Sequence, residues 1–241
     1  MLRRDALDLR GQQLVQRPRH DDRQALRDRQ GAVRQGAGQA VGEVCQAVGH
    51  RLDEAVDRPG FSFAACFERE APLVVEIGGG VGEATAALAA ARPEVNVLAL
   101  EVWQPGVAES LGRVAAAGAT NVRFCGVDAV WTLEHLLGPG AISELWTFFP
   151  DPWHKTRHHK RRLVNAENAA LVASRLAPGA VWRLATDWAD YAEQMVEVLD
   201  AEPLLEGGVV ERWADRPVTK FERKGLAKDR AITDLAYRRV T

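Results

Sequence analysis

The sequence predicts a doubly wound α/β sheet whose strands run mostly parallel. Three observations carry that prediction. From Leu73 onward, short apolar runs alternate with stretches that read as helices. The first five apolar runs each carry an acid at or just past their end, namely Glu76, Glu101, Asp128, Asp151 and Asp187. A glycine-rich turn, Gly78-Gly79-Gly80-Val81-Gly82, joins the first run to the first helix.

The elements follow in order. Leu73–Ile77 is an apolar run closed by glycines, the pattern of a buried parallel strand. Glu83–Ala91 is Ala-rich and helical, and Arg92-Pro93 stops it. Val95–Leu100 is the second strand, and Val107–Ala117 a helix closed by Gly118. Val122–Val127 is the third strand and Leu145–Phe149 the fourth. Ala166–Leu176 is helical, with Pro178-Gly179 as its stop signal. Val181–Ala185 is the fifth strand and Tyr191–Leu199 the next helix. Val209–Trp213 and Leu235–Val240 complete a seven-stranded sheet, with helices on both faces.

Residues 1–60 differ from residues 61–241. They contain no aromatic residue and no Lys, and their apolar positions keep no period. They read as an extension, disordered or loosely helical, to a domain spanning 61–241. A solvated tail, an arginine-rich RNA arm and a misplaced start all fit that composition. Across 241 residues the formal net charge is −2, so any basic patch is a local feature. Cys45, Cys66 and Cys125 are odd in number and show no CxxC spacing, which implies neither a zinc cluster nor a disulfide framework and fits a reducing cytoplasm. No stretch reaches the roughly 18 apolar residues of a membrane helix.

Ligands of such sheets bind beyond the carboxyl ends of the strands, where these acids gather. One acid at a strand end often caps the next helix; five along one edge suggest a binding site. The glycine loop fails the G-x-G-x-x-G dinucleotide fingerprint, because its last position is Glu83. An acid directly before the glycines repels a pyrophosphate and suits a cationic ligand. Glu101 has the spacing of an acid that holds ribose hydroxyls, and Asp128 that of one that binds an adenine amine.

Phe148-Phe149-Pro150-Asp151-Pro152-Trp153 runs directly into His154-Lys155-Thr156-Arg157-His158-His159-Lys160-Arg161-Arg162. A carboxylate between two prolines, flanked by aromatics, reads as a rigid pocket for a flat ring. The basic run reads as a landing strip for phosphates. Either could be plainer: Asp151 a turn residue, the run a solvated helix start, and Trp153, Trp188 and Phe221 core aromatics rather than base-stacking ones. With no apolar residue from His154 to Arg162, the run is expected to be a mobile loop. Its histidines lack acidic or Cys partners at ligand spacing, so no metal site is expected.

The acid, glycine loop and acids after strands two and three resemble a class I S-adenosylmethionine-dependent methyltransferase, a Rossmann-like fold. The stretch from Phe148 to Arg162, together with Ala185-Thr186-Asp187-Trp188 and Arg216-Pro217-Val218-Thr219-Lys220-Phe221-Glu222, closely resembles the tRNA (guanine-N7-)-methyltransferase family. The resemblance spans Leu73 to the C-terminus and does not reach residues 1–60. It implies methylation of guanine 46 in the tRNA variable loop, with release of S-adenosylhomocysteine, by a cytoplasmic monomer or homodimer. It implies cofactor binding by Glu76, Gly78, Gly80, Gly82, Glu101, Asp128 and Asp151, with Asp151 also catalytic. It implies substrate contacts from Lys155, Asp187, Thr219, Lys220, Phe221 and Glu222, and RNA contacts from Arg157, His158, His159, Lys160, Arg161 and Arg162. Membrane and metal are not implied.

Overall fold

The computed structural model describes residues 64–67 and 69–241. The predicted N-terminal extension lies outside the described residues. After a short helix α1 (Ala64–Phe67), the chain alternates: β1 (Leu73–Ile77), α2 (Glu83–Ala91), β2 (Asn96–Leu100), α3 (Gln104–Ala116), β3 (Val122–Cys125), α4 (Ala129–His135), β4 (Ile142–Phe148). A 3-10 helix (Thr156–Arg161) precedes α5 (Ala166–Arg175), β5 (Leu176–Thr186), α6 (Ala189–Asp200), β6 (Leu205–Val210), α7 (Lys220–Leu226) and β7 (Thr233–Arg239).

The seven strands form one sheet in the order β3-β2-β1-β4-β5-β7-β6. β1 to β5 pair in parallel, while β7 inserts antiparallel between β5 and β6. Alternate side chains of each strand feed opposite faces. Val75, Leu98, Leu145 and Leu184 pack beneath Val172 of α5 and Tyr191 and Met195 of α6. Their neighbours Val74, Val97, Ala99 and Trp146 pack with Leu88 of α2 and Val107 and Val114 of α3. Helices on both faces explain why β2 is buried at every position.

Several boundaries differ from expectation, each for a local reason. Helix α5 ends at Arg175, and Pro178-Gly179 is not its stop but part of a bulge inside β5. Register with β4 jumps from Ile142–Leu176 to Glu144–Val181, and Gly179 takes φ 80°, open to glycine without strain. The third strand ends at Cys125, since Asp128 caps α4 by accepting from the Trp131 amide at 3.0 Å. The sixth strand is Leu205–Val210, earlier than the Val209–Trp213 expected. The basic run, expected as a loop, forms a 3-10 helix closed by His158 N–H to Lys155 O at 2.7 Å.

Candidate active site at the carboxyl edge of the sheet

Because β3, β2, β1, β4 and β5 are parallel neighbours, Asp128, Glu101, Glu76, Asp151 and Asp187 line one edge in that order. They are not equivalent. Glu76 lies within β1, is only 2% exposed, and accepts from the Thr85 hydroxyl. Burial, against the opposing Thr85 bond and reinforced by the charge of Glu101, pushes its carboxyl up to about 7. Glu101 is tethered by its loop: one oxygen accepts from the Gly80 amide at 2.8 Å and the other from the Trp103 amide at 2.7 Å. Each oxygen retains a lone pair for a ligand hydroxyl. Asp128 keeps one oxygen beyond its cap. Asp187 is paired with Arg230 at 2.7 Å, so it is not the helix cap of α6.

The raised Glu76 carboxyl makes stability depend on pH. A folded-state value near 7 against an ordinary 4.5 means that the folded chain holds the proton more tightly. Stability therefore falls as pH rises from about 4.5 to about 7, by on the order of 3 kcal/mol, and levels off above. Glu76→Gln, which cannot ionise, should melt at higher temperature than the parent at pH 8 and lose that advantage at pH 4.5. Thermal melts across that range check it; an equal gap at both pH values would contradict the assignment.

Glycine is required in the loop at particular points. Gly78, Gly80 and Gly82 have φ of 78°, 58° and 76°, a left-handed run that side chains resist. A Cβ on Gly82 would lie 2.3 Å from Ser110 Oγ, so α2 and α3 could not approach as they do.

At the end of β4 the backbone is constrained further. Phe149 and Trp153, which bracket Pro150-Asp151-Pro152, take φ of 54° and 43°. Bulky residues held there cost on the order of 1–3 kcal/mol each and persist only where surroundings impose them. Here Arg216 lies over the rings of Phe148 and Phe149 at 5.7 and 5.4 Å. It is 1% exposed and bonds Asp234 at 2.9 Å through each of two nitrogens and Glu222 at 2.6 Å. Asp151 is exposed as a residue, while partial burial of its carboxyl raises it above the usual range against the pull of His154.

The basic strip divides in two. Lys155, Arg157, Lys160 and Arg161 are exposed, with Arg161 over the Trp153 ring at 5.0 Å. Arg162, expected to contact RNA, is instead 2% exposed. It bonds Pro152 O at 2.8 Å, Gln194 at 2.6 Å and Asp190 at 2.7 Å, and it covers the Tyr191 ring. A buried guanidinium bonded through each of its three nitrogens anchors the strip rather than presenting charge. His158 is lowered by partial desolvation and by Arg161, Arg157, Lys155 and Lys160, so it adds little to the strip's charge at neutral pH. His159 is half-buried, 3.7 Å from Asp190.

Thr219-Lys220-Phe221-Glu222, expected to contact the substrate, is the start of α7. Thr219 caps it through the Glu222 amide at 3.4 Å. Glu222 is turned inward onto Arg216 and Arg212, which removes it from the surface where a substrate would lie. Phe221 stays exposed and faces Gly80 of the glycine loop. Trp188 is occupied by His154 at 3.9 Å and Arg230 at 4.3 Å, which pin three segments together. Sequence reasoning missed Glu83, Trp103, Arg216 and Arg230. Only Arg216 had a signal, its place in the Arg-Pro-Val-Thr-Lys-Phe-Glu stretch. Among the described residues no cluster of His, Cys, Asp or Glu could hold a metal, and no helix is long and apolar enough to cross a membrane.

Comparison with known proteins agrees with this geometry. A sequence family described as "Putative methyltransferase" matches residues 70–235. A tRNA (guanine-N(7)-)-methyltransferase from Nocardioides sp. is 74% identical over 187 residues, covering 78% of this chain and 75% of that protein. One from Cutibacterium acnes is 53% identical over 200 residues, covering 80% and 69%. In three dimensions the chain resembles the 16S rRNA methyltransferase KamB, with a TM-score of 0.53 at 18% identity over 76% of this chain and 96% of that one. That likeness bears on the fold alone.

Proposed function

Because the chain belongs to the tRNA (guanine-N7-)-methyltransferase family, we propose that it methylates N7 of guanine 46 in the tRNA variable loop, using S-adenosylmethionine. The observation that supports this most is the position of Asp151. It stands at the end of β4, between the acidic edge of β1 to β3 and the exposed strip from Lys155 to Arg161.

The donor set fits that cofactor. Glu76, Glu101 and Asp128 offer carboxylates to a cationic, hydroxyl-bearing ligand, and the left-handed glycines let it approach the backbone at Gly78, Gly80 and Gly82. Glu76 is suited to the cofactor's ammonium group, whose charge would offset the burial of the carboxylate. Glu101 suits the ribose hydroxyls and Asp128 the adenine amine. When bound, S-adenosylmethionine supplies an electrophilic methyl group on sulfonium and leaves as S-adenosylhomocysteine.

Guanine N7 carries an in-plane lone pair, so the protein needs no strong base. Its contribution is orientation, worth up to about 7–11 kcal/mol in favourable cases. Positive charge grows on the purine as N7 is alkylated, and the Asp151 carboxylate orients the ring and stabilises that charge. Lys155, Asp187, Thr219, Lys220 and Phe221 meet the substrate around it. Lys155, Arg157, Lys160 and Arg161 hold phosphates. These groups all fall within residues 61–241, which we take as the methyltransferase domain, with residues 1–60 as its extension. With tRNA as its substrate, we take the enzyme to act in the cytoplasm.

The test is incubation with methyl-labelled S-adenosylmethionine and unmodified tRNA, then digestion and identification of labelled nucleosides. Label in 7-methylguanosine, absent when position 46 is not guanine, is expected; label on another base overturns the reading. Lys160→Ala with Arg161→Ala should weaken tRNA binding and flatten its log–log salt dependence by about one for each phosphate no longer neutralised. A salt slope equal to the parent's would remove the strip from the RNA interface.

A further inference from the structure

Glu83 opens α2 directly after Gly82, yet its carboxylate is bonded to the far end of the chain. It accepts from the Lys220 backbone amide and, at 2.7 Å, from the Arg223 guanidinium. The Lys220 amide is the first N–H of α7, a donor with no partner inside the helix. Glu83 supplies that partner and fixes the turn against the glycine loop. The next residue, Phe221, brings its ring to 3.6 Å from the place where a Cβ on Gly80 would stand. Gly80 in turn donates its amide to Glu101. Cofactor-side and substrate-side groups are therefore joined in one short, continuous chain.

The space between these two parts, bordered by Glu76, Gly79, Phe149, Thr219 and Phe221, is about 20 Å³. That is room for about one water. Partial burial pushes the Glu83 carboxyl up, but the bonds from Arg223 and Lys220 outweigh this and hold it below the usual range. The side chains of Glu83 and Arg223 are 18% and 55% exposed, so one end of the pair reaches solvent, where ion pairs add modestly to stability.

We propose that Glu83 is a positioning residue: by tying the Lys220–Arg223 turn to the glycine loop, it makes cofactor and tRNA bind cooperatively. This rests on the reading that the glycine loop takes the cofactor and the Thr219–Phe221 turn the tRNA. Linkage makes the coupling reciprocal, each ligand raising the affinity of the other by the same factor.

Affinity for S-adenosylhomocysteine is measured by calorimetry with and without tRNA, and affinity for tRNA with and without S-adenosylhomocysteine. Melting temperature, kcat and KM accompany each variant. In the parent chain, each ligand should tighten the other by about tenfold. Glu83→Ala should bring that factor to about one and raise KM for tRNA by a similar amount. Its melting temperature and its affinity for S-adenosylhomocysteine alone should match the parent's. Glu83→Gln retains an oxygen for the Lys220 amide and should recover part of the coupling; Arg223→Ala should lose part. An uncoupled parent, a Glu83→Ala variant that keeps the parent's coupling, or one that loses only cofactor affinity overturns the proposal. A parent chain that makes no 7-methylguanosine defeats the functional reading instead.

Discussion

Asp151→Ala is expected to lower turnover by about a hundredfold to a thousandfold while changing tRNA affinity by no more than a few fold. The reason is where its charge acts. Asp151 is exposed at the end of β4, and among the described residues no hydrogen bond or salt bridge engages its carboxylate. Its interactions are therefore available to the substrate. A carboxylate aimed at charge that appears only during alkylation affects kcat more than binding. The strained backbone at Phe149 and Trp153 holds it in place without help from the substrate. Single-turnover rates with saturating tRNA separate the two effects. Asp151→Asn, which keeps the shape and removes the charge, should be nearly as slow as alanine. Turnover near the parent's in both variants would remove Asp151 from the chemistry.

The second large effect concerns stability. Arg216→Ala should destabilise the fold by about 3–5 kcal/mol, because it leaves Asp234 buried without its cation and Glu222 with Arg212 alone. That is a large share of the roughly 5–15 kcal/mol that holds a typical domain together. Arg216→Lys keeps the charge but cannot reproduce the paired bonds to Asp234 or the flat stacking on Phe148 and Phe149. It should fall between parent and alanine. Urea denaturation midpoints provide the measurement. An alanine variant as stable as the parent would show that the triad does not hold the C-terminal segment to β4. If the triad also imposes the left-handed Phe149, Arg216→Lys should lower kcat at saturating substrate even where it is fully folded.

Both expectations start from residues in plain view in the sequence, but they were not equally legible. Asp151 could be found because its neighbours restrict it: two prolines, aromatics on either side, and a strand pattern ending at Phe149. Arg216 stood out only as a member of the Arg-Pro-Val-Thr-Lys-Phe-Glu stretch, and nothing adjacent reveals that its partners lie six and eighteen positions further along. The same holds within the basic strip. Arg161 and Arg162 are alike in sequence, yet one lies over Trp153 at the surface and the other is sealed against Asp190, Gln194 and Tyr191. The basic run was expected to be mobile for want of apolar residues. It forms a 3-10 helix in which one arginine does the anchoring that an apolar side chain would otherwise do.

Local pattern was enough for the alternation of strands and helices, the acid at each strand end, the left-handed glycine turn and the rigid Pro-Asp-Pro unit. Each depends on neighbours within a few residues, through backbone freedom and the period of apolar side chains. Tertiary structure decided the rest: that β7 enters antiparallel beside β5, that Glu222 faces Arg216 rather than a substrate, and that Glu83 reaches Lys220 and Arg223. The physical reason is common to all three. Whether a charged side chain is a ligand for something outside or a partner for something inside depends on what the fold brings beside it, and those partners come from distant parts of the chain.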